Sequence, residues 1–208
     1  MPSPDGSVLV AQGLACRRGG RLVFEHLELS LAAGEALVLR GPNGSGKSTL
    51  LRLLSGLLPP AAGTVSWDGE DVARDPATHR ARLHYLAHAD ALKTALSPRE
   101  NLAFAADLAG GAADVGSALA AFDLGPLADL PVRFLSAGQR RRTALARLLA
   151  TVRPLWLLDE PGVGLDQASR GRLEAAIAAH RRQGGIAVVA THGDVAVDDP
   201  LVLDFAAA

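Results

Sequence analysis

Residues 41–49, Gly-Pro-Asn-Gly-Ser-Gly-Lys-Ser-Thr, fit the pattern G-x-x-x-x-G-K-[ST] and lie between an apolar run, Ala36 to Leu39, and a helix-like run, Leu50 to Leu58. The order reads as strand, phosphate loop, helix. Gly41, Gly44 and Gly46 open backbone angles closed to other residues, so the loop around Pro42, Asn43 and Ser45 can turn its amide N–H groups inward around phosphate oxygens. The helix that follows points its positive end at the same place. Lys47 would reach the β- and γ-phosphates, Ser48 would offer its hydroxyl to Mg²⁺, and Thr49 continues the helix beside it. The pattern points to binding of a nucleotide together with Mg²⁺. Kinases, GTPases and many ATPases share such a loop, so other motifs must decide among them.

The elements that position this loop follow from the rest of the chain, whose 208 residues allow one α/β domain with a small inserted subdomain. A net charge of −1 speaks against a general nucleic-acid binder, because no positive field gathers phosphates. The one local basic run, Arg133 to Arg147, reads as the solvated face of a helix. Lysine occurs twice, as Lys47 and Lys93, so one of the two sits in the phosphate loop. Cys16, the sole cysteine, excludes an internal disulfide and fits a reducing compartment. The first seven residues lack the basic and apolar regions of a secretion signal. The Ala/Leu-rich stretch Asn101 to Phe122 is broken by Asp107, Gly110-Gly111 and Asp114, so direct membrane insertion is not expected.

Residues 7–16 and 21–31 read as a β-hairpin about Gly19-Gly20, with Leu27, Leu29 and Leu31 alternating against Glu28 and Ser30. Further strands are expected at Gly63 to Trp67, Leu83 to Ala87, Pro154 to Leu158, Ile186 to Ala190 and Leu201 to Phe205, the last at a sheet edge. Ser97-Pro98-Arg99-Glu100 carries a capping box with proline at the first helical position, starting a helix that runs to about Leu108. Ser117 to Phe122 begins a second helical segment. Ser136 caps a helix reaching Ala150, and Leu173 to His180 is helical. The expected fold class is α/β: a phosphate-loop core at about residues 1–87 and 135–208, with an N-terminal antiparallel hairpin and an inserted helical subdomain at about 88–134.

Leu135-Ser136-Ala137-Gly138-Gln139 opens a helix about 90 residues after the phosphate loop and shortly before the apolar strand Leu155-Trp156-Leu157-Leu158, which ends in Asp159-Glu160. This segment resembles the LSGGQ signature of ATP-binding-cassette (ABC) ATPases, with alanine for the first glycine, and the strand is similar to the family's Walker B strand. The resemblance implies that Asp159 holds a water of the Mg²⁺ shell and that Glu160 polarises the attacking water as general base. It places Gly162 to Asp166 in the D-loop, where Val163 stands instead of a hydroxyl, and makes His192, after the strand ending at Ala190, the switch histidine that senses the γ-phosphate. It also implies a homodimer around two ATP molecules, with Ser136, Gly138 and Gln139 reaching the nucleotide of the other protomer.

Counting back from Pro98-Arg99-Glu100-Asn101 puts His88 where the family's Q-loop glutamine stands, and counting back from Gly34-Glu35 puts Arg18 where an aromatic ring normally stacks on adenine. A planar guanidinium can stack likewise. With residues 14–21, Tyr85 to His88, Leu92 to Ser97 and Leu135 to Gln139, the chain looks like the cytochrome c biogenesis ATP-binding export proteins. That likeness implies a peripheral subunit on the cytoplasmic face of the inner membrane, held by an integral-membrane partner and coupling ATP hydrolysis to c-type cytochrome maturation. Another small exporter's ATPase shares every catalytic residue, whereas a phosphate-loop kinase leaves Ser136 to Gln139 unexplained.

Overall fold

The computed structural model describes residues 7–110 and 113–205; the leader-free reading of residues 1–6 and the helix-breaking role of Gly111 lie outside them. The chain begins with the expected hairpin, β1 (Val8–Arg18) and β2 (Arg21–Ala32), turning at Gly19-Gly20. After β3 (Ala36–Arg40) and α1 (Lys47–Leu54), β4 (Ala62–Trp67) returns to pair antiparallel with β1, and β5 (Glu70–Asp71) pairs with β4. The hairpin thus becomes half of a four-stranded antiparallel sheet, ordered β2-β1-β4-β5. Gly63 is needed there, since a Cβ on it would strike the carbonyls of Gln12 and Gly13 where β1 shifts register.

Next come α2 (Pro76–Ala81) and β6 (Leu83–Leu86), then α3 (Pro98–Ala109) and α4 (Val115–Ala121), then α5 (Ala137–Ala150). The chain closes with β7 (Leu155–Asp159), α6 (Gln167–Arg182), β8 (Ile186–Ala190) and β9 (Leu201–Asp204). Strands β6-β7-β8-β3-β9 form one parallel sheet in that order, with β9 at the expected edge. Alternation along these strands divides the core in two. Leu37, Leu39, Leu155, Leu157, Ile186 and Val188 face α1 and the antiparallel sheet. Ala36, Trp156, Leu158, Ala187 and Val189 face the helices α3 to α6. Both faces being covered explains why these strands read as unbroken apolar runs.

The Ser97–Glu100 capping box forms as expected, and Gly110 ends α3 in a left-handed conformation. Three boundaries differ from expectation. Helix α1 stops at Leu54 rather than Leu58, because Ser55 and then Gly56, at φ +68°, turn the chain and leave Leu57 exposed. Helix α4 ends at Ala121, so that Phe122 drops into the core completely buried. Helix α6 starts six residues before Leu173, where Asp166 caps it by accepting the Ser169 N–H at 2.7 Å. Among the described residues no helix is long and apolar enough to cross a membrane.

Candidate active site

The phosphate loop leaves the carboxyl end of β3, Asp159 ends β7, and Thr191-His192 follows β8. Open parallel sheets present their ligand crevice at that end. Gly41 and Gly46 stand at φ +137° and +116°; a Cβ on Gly41 would sit 2.9 Å from Ser45 Oγ and one on Gly46 2.8 Å from Val23. Neither position has room for a side chain, which makes the loop a narrow backbone cradle. Lys47 is buried and folds its ammonium onto the loop carbonyls of Gly41 (2.7 Å) and Pro42 (3.1 Å), 3.9 Å from Glu160 Oε1. The Ser48 hydroxyl donates to Asp159 Oδ1 at 2.9 Å.

Glu160 has φ +48°, a left-handed conformation that costs a non-glycine residue about 1–3 kcal/mol. Its N–H donates to Ala190 O at 2.9 Å. Its Oε1 lies 3.3 Å from His192 Nε2, while Oε2 is buried with no hydrogen-bond partner among the described residues. Burial pushes the carboxyl upward from its usual range, against the pull of His192 and Lys47. His192 Nε2 also lies 2.8 Å from Asn43 Oδ1, so the phosphate loop and the β8 loop meet at one imidazole.

These groups open onto a cleft of about 870 Å³ that Arg18, Asn43 to Thr49, His88, Asp159, Glu160 and His192 all line. Residues far apart in the chain are thereby gathered as expected. Arg21, Leu22 and Arg52 line it too and were not anticipated, since nothing in their spacing marks them. Ser136, Gly138 and Gln139 lie outside the cleft. Ser136 Oγ accepts the Gln139 N–H at 3.2 Å and Gln139 Oε1 accepts the Ser136 N–H at 2.8 Å, a capping box at the exposed start of α5. Gly138 packs against the D-loop, where a Cβ would approach Gly164 O to 3.3 Å.

Two contacts were not foreseen. Arg141 is 5% exposed rather than part of a solvated face, which corrects the reading of the arginine run. In the D-loop, a Cβ on Gly162 would collide with the Asp194 carboxylate, itself bonded to Thr191 Oγ1.

The donor set suits a magnesium nucleotide. Ser45 Oγ and Glu160 Oε2 are buried polar atoms with no partner among the described residues, and Ser48 with Asp159 offers hard oxygen ligands. A family profile described as ABC transporter matches residues 24–163, from within β2 to the start of the D-loop. The chain belongs to the ABC transporter family. Among curated relatives, the cytochrome c biogenesis ATP-binding export protein of Rhodospirillum rubrum is 54% identical over 198 residues, covering 95% of this chain and 85% of the relative. The protein of the same name from Paramagnetospirillum magneticum is 56% identical over 196 residues, covering 91% and 89%. A solved ATP-binding subunit of an ABC transporter superposes with a TM-score of 0.82 at 26% identity, covering 89% of this chain and 80% of that one. As an ABC ATPase, the chain binds nucleotide and serves as the ATP-hydrolysing subunit of a transporter. Its α/β architecture, an antiparallel sheet beside a parallel one with helices packed below, is that family's fold.

Proposed function

We propose that this chain powers a bacterial complex for c-type cytochrome biogenesis, as a peripheral subunit on the cytoplasmic face of the inner membrane, bound to an integral-membrane partner. The observation that carries the catalytic reading is the meeting of Lys47, the Ser48–Asp159 pair and the Glu160–His192 pair at one cleft. The names of its relatives support the cytochrome c assignment. The chain acts as a single ABC ATPase domain, with residues 88–134 as an arm between core segments 1–87 and 135–208.

In this reading Lys47 leaves the carbonyls of Gly41 and Pro42 for the β- and γ-phosphates, while loop amides hold the remaining oxygens. Arg18 stacks on the base. Ser48 and Asp159 would hold Mg²⁺, which when bound would neutralise charge on the phosphate oxygens. Glu160, its proton affinity raised by burial, orients water and takes its proton. His192 steadies that carboxylate and reads the γ-phosphate, and His88 occupies the glutamine's position at the cleft wall. Ser136 stands exposed at a helix start with Gly138 and Gln139 half-buried beside it, where they can engage ATP held by a second copy.

Glu160→Gln should keep ATP binding and lose turnover, trapping a homodimer visible by size-exclusion chromatography with ATP but not with ADP. Adding Ser136→Arg should return it to monomer with ATP still bound. A Glu160→Gln protein that stays monomeric in saturating ATP, even beside its membrane partner, would sink the two-nucleotide dimer.

A further inference from the structure

Arg141 lies on α5, two residues beyond Gln139, and its guanidinium saturates all five of its N–H donors. Nη2 donates to Glu160 O at 2.7 Å and Asp159 O at 3.3 Å, and Nε to Pro161 O at 3.3 Å. Nη1 donates to Ala87 O at 3.3 Å and to Asp90 Oδ1 at 3.0 Å. Three consecutive carbonyls, 159 to 161, therefore converge on one side chain where the chain leaves β7. The other two acceptors flank His88.

We propose that Arg141 is the positioning residue for Glu160, fixing its backbone in the left-handed conformation and tying that conformation to the 87–90 loop and to the helix that carries Ser136 to Gln139. This rests on the reading of Glu160 as general base. The geometry shows why a clamp is required. The N–H of Glu160 is held by β8 through Ala190 O and its carbonyl by Arg141, one restraint on each side of a φ that other residues avoid. Release of the carbonyl lets the peptide relax toward extended angles, and the carboxylate swings away from His192 and Lys47. Because the same guanidinium grips Asp90 and Ala87, displacement of the 87–90 loop or of α5 reaches Glu160 through one rigid, planar group. A buried ion pair with Asp90 alone would need no carbonyls from β7.

Arg141→Lys keeps the charge, but its three donors cannot span five acceptors. In the intact chain we expect its kcat to fall at least tenfold, while KM and the affinity for a fluorescent ATP analogue stay within threefold of wild type. Combined with Glu160→Gln, it should lower turnover no further than Glu160→Gln alone, because both act on one group. Asp90→Ala loosens the guanidinium at its half-exposed end and keeps the test open should Arg141→Lys fail to fold; its kcat should drop three- to tenfold with affinity unchanged. Wild-type kcat in a folded Arg141→Lys, affinity lost in step with kcat, or effects that multiply in the double variant would overturn the proposal. So would wild-type kcat in Asp90→Ala when Arg141→Lys cannot be folded. Glu160→Gln turning over at the wild-type rate would overturn the general-base reading, and this proposal with it.

Discussion

Nε2 of His192 lies 3.3 Å from Oε1 of Glu160. The imidazole also meets Asn43 of the phosphate loop, so the carboxylate that would take a proton is in register with the loop that would hold the phosphates. No covalent neighbour enforces this. Three strand ends of one parallel sheet do, which makes the site sensitive to changes at each of them.

Lys47→Ala should abolish productive ATP binding and reduce turnover at least a hundredfold, since backbone amides alone leave the phosphate charge uncompensated. The fold should lose only about 1–3 kcal/mol, because the ammonium's two bonds to Gly41 O and Pro42 O vanish from a loop otherwise held by α1. ATP turnover within twofold of wild type would remove the phosphate-loop assignment.

His88 lines the same cleft. His88→Gln places the family's usual side chain there and should retain turnover within about threefold in a steady-state assay. Turnover below a tenth of the wild-type rate would show that the imidazole itself is required.

Acid should destabilise the protein through two histidines beside Trp156. His180 stacks on that indole at 4.1 Å and 8°, and His84 meets its edge. Burial, helped at His84 by Arg153 and Arg147, holds both at about 4, against hydrogen bonds to Thr151 O and Ile186 O. Between pH 6.5 and about 4 the unfolded chain binds these protons and the folded one does not. Stability is therefore full above pH 6.5 and falls as pH drops toward 4, by about 1.4 kcal/mol per pH unit for each histidine. Melting temperatures from pH 7.5 to 4.5 measure the slope. His180→Phe, which keeps the stack, should halve it; an unchanged slope would exonerate His180.

Docking of the membrane partner should use the groove between α3 and the end of α5. A cleft of about 340 Å³ there is lined by Arg80, Lys93, Arg147 and Arg153, with no carboxylate among the described residues, and by Phe104 and Leu108, which stand 42% and 75% exposed. Leu108→Asp should weaken co-purification with the partner and leave the ATPase activity of the isolated chain within twofold. Crosslinks confined to the β1–β2 hairpin would contradict this surface.

What could be read from the chain was whatever local chemistry enforces. The phosphate loop, the Ser97 capping box and the strand at 186–190 needed no partner to be recognised. Helix α6 was begun too late because its first turns, Gln167 to Gly171, carry no apolar stripe; only the cap at Asp166 announces them. Arg141 was misread for a geometric reason. Three successive arginines on a helix fan across about 200°, so they do not share one narrow face, and composition alone does not say which of them turns inward. The partnership of β4 with β1 is long-range, and its only local trace is Gly63, whose necessity appears once the carbonyls of β1 lie against it.

The left-handed backbone of Glu160 has a consequence for laboratory evolution. Glycine there would shed both the unfavourable φ and a buried, unpartnered carboxylate oxygen. A library screened for heat tolerance alone should therefore accumulate Glu160→Gly early, and the survivors would outlast the parent while hydrolysing nothing. Screening such a library under alternating rounds of heat and turnover would keep the glutamate in place, and second-site gains would then collect elsewhere in the core.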